Sequence, residues 1–135
     1  MKFKDLRQAD EFYSDSIDNR LIVVLYSLDG YSRTELGVEL YINDILRTRS
    51  EQIDIYQKRG VDISDIPHSV HEYGRGADLR YWIYDEEQAE ELCGWCNEKF
   101  IYNGAHDTCI IHQVGDGVTH MHIQVDISNE LIIRT

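Results

Sequence analysis

The sequence contains little that would suit nucleic-acid binding, membrane insertion or a disulfide scaffold. Its 13 Lys and Arg residues face 25 Asp and Glu residues, which gives a net charge of −12 over 135 residues. Because phosphate contacts need clustered basic side chains, this balance argues against a nucleic-acid partner. No stretch approaches the roughly 18 to 20 apolar residues that a membrane span requires, so we expect no membrane insertion. Three cysteines are too few, and odd in number, for a disulfide framework.

Segments that would divide or target the chain are also scarce. A single proline and nine scattered glycines leave no recognisable linker, and no internal repeat is present. The apolar share of 42% is ordinary for a globular domain, so we predict one domain over residues 1–135. The N-terminus carries two lysines but no apolar run behind them, so we expect synthesis in the cytoplasm without a signal peptide.

The hydrophobic spacing predicts an α+β fold, an antiparallel sheet with helices packed on it. A helix between the N-cap Asp18 and a C-terminal stop at Gly30 is favoured, although its β-branched residues leave a strand possible. Cys93 and Cys96 fall on the apolar face of the last helix, which favours core packing over a redox or structural metal site. The predicted helices lie at 5–13, 18–30, 49–59 and 85–100, the strands at 37–44, 76–83, 107–114 and 119–126, and a loop at 60–75.

Two stretches offer side chains of the kinds that bind metal ions. His71 and Asp78 lie where the loop joins the second predicted strand. His120 and His122 share one face of the last strand, because side chains in a strand repeat every second residue. A catalytic zinc takes three nitrogen or oxygen ligands and keeps one position open, which His71, Asp78 and one histidine of the pair would provide. Each stretch alone is common, and a His-x-His pair is more often structural.

The two stretches together resemble a known pair of motifs. Ser69-x-His71-x-x-Gly74-x-Gly76-x-Asp78, followed by His120-x-His122, is similar to the motifs of the superfamily that joins lysostaphin-type peptidases, D-alanyl-D-alanine metallopeptidases and hedgehog domains. The segment 46–56 is similar to the strand and helix that precede the zinc motif in the phage and bacterial peptidases. The resemblance extends over about residues 38–126 and implies a hedgehog/D,D-peptidase-like fold with one bound zinc.

The same resemblance implies roles for individual residues. The zinc ligands would be His71, Asp78 and His122. His120 would act as an acid/base or as a donor to the developing oxyanion, and Arg47 would neutralise the tetrahedral intermediate. A positive donor of this kind is effective because it stabilises charge that appears only in the transition state.

The general base is where the sequence departs from the family pattern. Many D,D-peptidases of this group carry an acid three residues before the last ligand, and here that position is Thr119. Asp116 lies four residues before His120, a spacing similar to the hedgehog arrangement. Gly115-Asp116-Gly117 is equally typical of a hairpin turn, so the catalytic and the turn interpretations of Asp116 both stay open.

The other histidines have simpler interpretations. His112 would face the site if the connection to the last strand had an odd number of residues, and would face away with a two-residue turn. A buried structural role is the expectation for His112. His68 and His106 are expected in loops.

The expected function is a zinc-dependent peptidase that hydrolyses peptidoglycan peptides, of D,D-carboxypeptidase or L-alanyl-D-glutamate endopeptidase type. It would be a phage- or prophage-type lysin that is released to the cell wall on lysis or carried in a virion. The net charge of −12 opposes docking on anionic wall polymers. The alternative is a catalytically inactive zinc-binding module with a hedgehog-like fold, and a thiol redox protein is a weaker third candidate.

Overall fold

The computed structural model describes residues 1–102, 106–113, 117–127 and 132–134. Within these ranges the chain forms four α-helices and seven strands. The helices are α1 (Leu6–Phe12), α2 (Asn19–Tyr31), α3 (Arg49–Gln57) and α4 (Glu86–Lys99), and the strands are β1 (Lys2–Phe3), β2 (Tyr41–Asp44), β3 (Gly76–Arg80), β4 (Phe100–Ile101), β5 (Cys109–Gln113), β6 (Thr119–Gln124) and β7 (Ile132–Ile133).

Five of the strands form one sheet in the order β1-β2-β3-β6-β5. The pairs from β2 to β5 are antiparallel, whereas the short β1 adds in parallel to β2. Strands β4 and β7 make a separate antiparallel pair. The α+β class is therefore confirmed. The antiparallel sheet is also confirmed except for the edge strand β1, whose two residues are too few to give a hydrophobic pattern.

The sheet has one apolar face, which packs against helices α2 and α4. Burying a large apolar side chain contributes roughly 1.5–3 kcal/mol, so this layer holds the domain together. Its central members come from alternate strand positions and from one face of each helix: Ile42, Ala77, Leu79, Cys109, Met121, Ile123, Leu21, Val24, Leu25, Leu28, Ala89, Leu92 and Cys96.

The helix predicted between Asp18 and Gly30 is present but ends later than predicted. Asp18 accepts a hydrogen bond from the backbone N–H of Arg20, as an N-cap does. The helix runs through Gly30 to Tyr31 and continues as one wide turn. It stops at Gly37, whose φ of 69° is the left-handed conformation that glycine adopts most easily. The predicted stop at Gly30 is wrong, because the left-handed conformation that ends the helical segment occurs at Gly37 and not at Gly30.

Capping boxes fix the starts of α3 and α4. The Thr48 side chain accepts from the backbone of Glu51 at the start of α3, and Asp85 and Gln88 make the equivalent pair at α4. The predicted loop at 60–75 contains two short 3-10 turns, of which the second spans Val70–Tyr73. In the described part of the chain, every helix is too short or too polar to cross a membrane.

Candidate metal centre

Three side chains with metal-binding atoms converge on the polar face of the sheet. Asp78 of β3 lies directly opposite His122 of β6 in the strand register. His71 comes from the 3-10 turn that precedes β3. One ligand atom from each residue can be chosen so that all three lie within 4.8 Å of one another. The structure thus brings together the imidazoles and the carboxylate that the two sequence motifs contain.

The turn that carries His71 is fixed at both ends. Ser69 caps it by accepting from the backbone N–H of His71, and Glu72 completes a capping box. Gly74 ends the turn with a φ of 67°, and its carbonyl accepts from the backbone N–H of Asp18. A Cβ at Gly74 would overlap the carbonyl oxygen of Ser16, so a larger residue would displace the turn from the segment that precedes α2.

The second glycine of the motif gives space to the site itself. Gly76 begins β3, and a Cβ placed there would lie 2.5 Å from a methyl carbon of Val70. The same Cβ would lie 3.4 Å from Cε1 of His122. The absence of a side chain at Gly76 therefore allows the His71 turn and the His122 ring to approach each other.

The ring of His71 is oriented by a backbone carbonyl. Its Nδ1 lies 2.9 Å from the carbonyl oxygen of Ile45, which can only accept, so Nδ1 carries a proton and donates. The other nitrogen, Nε2, lies 3.3 Å from Oδ2 of Asp78. The side chain is 3% exposed, so the ring has little freedom to turn away from Asp78.

A side-chain amide orients His122 in the same way. The Gln124 amide nitrogen donates to the carbonyl oxygen of Asp107 at 2.9 Å, which leaves its oxygen 3.2 Å from Nε2 of His122. Nε2 must therefore be the donor. The remaining nitrogen, Nδ1, lies 2.9 Å from Oδ1 of Asp78.

The carboxylate of Asp78 therefore lies between one ring nitrogen of His71 and one of His122. The second nitrogen of each ring donates to Ile45 or to Gln124. Burial alone would lower the pKa of His71, but the hydrogen bond and charge of Asp78 outweigh it and raise that pKa. Burial would raise the pKa of Asp78, but hydrogen bonds from His122 and His71 hold it well below its usual range. A neutral imidazole would direct a lone pair at the carboxylate, so the arrangement is stable only with positive charge between the groups.

A metal ion is one source of that positive charge. Bonds of about 2.0 Å in tetrahedral geometry separate the ligand atoms by roughly 3.3 Å. Oδ2 of Asp78 lies 3.3 Å from Nε2 of His71 and Oδ1 lies 2.9 Å from Nδ1 of His122, and one ligand atom from each residue lies within 4.8 Å of the others. Metal-binding histidines usually donate their second N–H to a carbonyl or carboxylate, the role that Ile45 and Gln124 have here.

The three side chains lie in an open cleft of about 890 Å³ between the sheet and α3. Arg47 and His120 also line this cleft. Arg47 donates to Asp44 at 2.9 Å and to Gln52 at 2.8 Å, so its guanidinium is fixed in the wall. Nδ1 of His120 is buried and has no hydrogen-bond partner among the described residues. Buried polar atoms rarely lack a partner, so the unmet hydrogen bond of His120 distinguishes it from the other buried polar groups of the cleft.

Asp116 lies outside the described residues, so its catalytic and turn interpretations both stay predictions.

His112 corrects one prediction. It pairs with His120 in the strand register, because five residues separate Gln113 from its partner Thr119 in the following strand. With this odd number His112 faces the cleft, with its ring centroid 5.8 Å from that of His122. It is exposed, so the expected buried structural role is wrong. Partial burial, followed by the charge of His122, lowers the pKa of His112.

Sequence reasoning missed two groups that orient the ligands. Gln124 follows His120 and His122 at the same two-residue spacing, and this spacing could have identified it. The carbonyl of Ile45 has no sequence signal, because any residue would supply one.

No family model, no curated protein and no solved structure matched this chain when it was compared with each.

Proposed function

We propose that this chain is a zinc-dependent peptidase that hydrolyses peptides of peptidoglycan, on a hedgehog/D,D-peptidase-like fold. The D,D-carboxypeptidase and L-alanyl-D-glutamate endopeptidase types are both included, in the setting of phage- or prophage-driven lysis. The observation that carries the proposal is the convergence of His71, Asp78 and His122 in an open cleft, with both rings oriented from behind. Two imidazoles and one carboxylate, with a side left open, are the ligands of catalytic zinc sites.

Zinc supplies Lewis acidity, which polarises a substrate carbonyl and makes a water molecule acidic enough to attack near neutral pH. The protein's own residues do the rest. Ile45 and Gln124 hold the two rings so that one nitrogen of each faces Asp78. The ionised carboxylate of Asp78 offsets part of the positive charge of a cation.

His120 and Arg47 are the proposed partners of the reacting groups. His120 is one strand repeat before His122 on the same face of β6, and its Nδ1 has no partner among the described residues. It would hold or deliver a proton as the peptide bond breaks. Arg47 is fixed in the cleft wall and would offset negative charge on the carbonyl oxygen.

One observation favours a second function, a zinc-binding module that does not hydrolyse. Apart from Asp78, the described acids that line the cleft already have partners: Asp44 contacts Arg47, Glu51 contacts Arg7, and Asp5 caps α1. No described carboxylate in the cleft is therefore a free general base. Hydrolysis would depend on His120 or on Asp116.

The test measures zinc and hydrolysis together. Purified protein should contain close to one zinc per chain, and His71→Ala and His122→Ala should lose it. His120→Ala should retain zinc but release fragments from peptidoglycan at least about 100-fold more slowly, the size expected for a lost general acid or base. His106→Ala is the matched control, because His106 is exposed and does not line the cleft.

Each outcome has a distinct meaning. Wild-type protein without zinc, even after reconstitution, would overturn the metal site. Zinc without fragment release would favour the non-hydrolytic module. Release that survives His120→Ala or chelation would overturn the mechanism.

A further inference from the structure

Positive charge is concentrated in the cleft of this acidic protein. Among the described residues, four Asp and Glu side chains and five Lys and Arg side chains line the cleft, although the whole sequence has 25 acidic and 13 basic residues. A cleft with this balance attracts an anionic group that the rest of the surface repels. The basic residues are Lys4, Arg7, Arg47, Arg59 and Arg80.

Among the cleft arginines, Arg80 is bound differently from Arg7 and Arg47. Arg7 donates to Glu11 and Glu51, and Arg47 donates to Asp44, so each of these guanidinium groups already contacts a carboxylate within the protein. Arg80 contacts no carboxylate in the described residues. Its only described hydrogen bond runs from Nε to Oδ1 of Asn43 at 3.1 Å, and both terminal amino groups have no described acceptor.

Two aromatic rings hold the Arg80 guanidinium in place. Its central carbon lies 3.6 Å from the ring centroid of Tyr41 and 4.9 Å from the ring centroid of Trp82. Stacking on aromatic faces fixes the plane of a guanidinium without using its outer N–H groups. An arginine fixed in this way is arranged to bind a carboxylate through two parallel hydrogen bonds.

Arg80 is also close to the metal-type side chains. It follows Asp78 by two residues on the same face of β3, so the two Cα atoms are roughly 6.6 Å apart along the strand. Its partner across the sheet is His120. A ligand whose carboxylate binds Arg80 would extend past His120 towards the His71, Asp78 and His122 cluster.

We propose that Arg80, in contact with the rings of Tyr41 and Trp82, is a carboxylate-binding subsite that positions a peptide beside the His71, Asp78 and His122 cluster. The proposal rests on the proposed function for what the peptide meets next, but the subsite itself is independent of hydrolysis. The carboxylate would be either the C-terminus of a peptide or an acidic side group next to the bond. The first source fits a carboxypeptidase and the second an endopeptidase that acts beside an acidic residue.

Three small ligands test the subsite in the zinc-loaded protein. N-acetyl-D-glutamine has a terminal carboxylate, N-acetyl-D-isoglutamine has only the side-chain carboxylate, and the diamide has neither. Binding is followed by NMR through the indole N–H of Trp82, which stacks on Arg80. At least one carboxylate isomer should bind about 10- to 100-fold more tightly than the diamide, the range for a charge-assisted hydrogen bond.

Arg80→Gln should abolish this preference, and Arg80→Lys should restore part of it because the charge returns without the planar pair of donors. Arg59→Gln is the matched control: Arg59 also lines the cleft beside an aromatic ring, 5.3 Å from the centroid of Tyr56. It should change the preference by less than about threefold. Zinc content, measured for each variant, separates loss of the metal from loss of the subsite.

Equal binding of all three ligands, or a preference that survives Arg80→Gln, would overturn the subsite even if the protein is a peptidase. An Arg80-dependent preference in a protein that hydrolyses nothing would support the subsite and contradict the enzyme. A preference for the terminal carboxylate assigns the C-terminus as the bound group, and a preference for the side-chain isomer assigns the acidic side group.

Discussion

Two groups of side chains of metal-ligating types lie on opposite faces of the same sheet, and the group in the cleft opens to solvent. The His–Asp–His cluster, His71, Asp78 and His122, lies in the cleft. The thiol cluster, Cys93, Cys96 and Cys109, lies between α4 and β5, where Cys96 and Cys109 are almost completely buried. The strands that present histidines to one side therefore present a thiol to the other.

The difference between them is where their hydrogen bonds end. In the His–Asp–His cluster one nitrogen of each ring donates to Ile45 or Gln124, and the other nitrogen faces the carboxylate of Asp78. In the thiol cluster, contacts with Cys93 and Cys96, together with burial, raise the pKa of the Cys109 thiol. The Cys93 thiol donates to the carbonyl oxygen of Cys109 at 3.3 Å, so its hydrogen bond ends on the backbone. Both clusters have side chains of metal-ligating types, but among the described residues only the His–Asp–His cluster directs its ligand atoms at one another.

The largest expected effects come from two neighbours on β3 that face opposite ways. Leu79→Ala removes a fully buried side chain and should lower the free energy of unfolding by about 2–5 kcal/mol. Asp78→Asn should instead lower the zinc affinity more than about 100-fold, because changes behind the ligands alone cost 10- to 100-fold. Thermal unfolding with zinc and with a chelator measures both.

Zinc should raise the Tm of the wild type and of Leu79→Ala, since a ligand that binds only the folded state stabilises it. It should leave the Tm of Asp78→Asn almost unchanged. If Asp78→Asn responds to zinc as the wild type does, Asp78 is not a ligand.

The residues of β3 also show what the sequence could predict. The alternation of Ala77 and Leu79 with Asp78 and Arg80 predicted which side chains share a face, because the strand period is exactly two residues and depends on nothing distant. His71 and Asp78 were predicted as metal ligands from the motif that contains them. Whether they come together depends on the packing of a turn against a sheet.

Other features depended on geometry that the sequence does not encode locally. The orientation of His112 depended on the length of the connection between β5 and β6, and a change of one residue reverses it. The end of the helical segment formed by α2 and the wide turn after it depended on which glycine adopts a positive φ, and that glycine is Gly37. The hydrogen bond from His71 depends on the main chain at Ile45, which no side-chain pattern records.

A smaller effect on zinc affinity is expected from Gln124, which contacts His122 but not the carboxylate of Asp78. Gln124→Leu removes the acceptor for Nε2 of His122 and should lower the zinc affinity about 10- to 100-fold. Gln124→Glu keeps an acceptor and should lose less. Competition with a chelator of known affinity measures both variants, and circular dichroism checks that the fold is retained. Equal losses for Leu and Glu would show that the hydrogen bond to His122 does not orient the ring.

The smallest effects on zinc binding should come from the thiol cluster, whose variants should leave it unchanged. Cys96→Ser places a hydroxyl in the apolar core and should cost about 1–3 kcal/mol, the range for a buried group without a partner. Cys93→Ser should cost less than about 1 kcal/mol. Cys93 is half-buried, and the carbonyl of Cys109 that accepts from it also accepts from Asn97 at 2.9 Å. Urea unfolding measures the free energy of unfolding of both variants, and their zinc content is measured in the same samples. A loss of zinc in either variant would show that the two faces of the sheet are coupled, because neither thiol lies among the ligand atoms of the cleft.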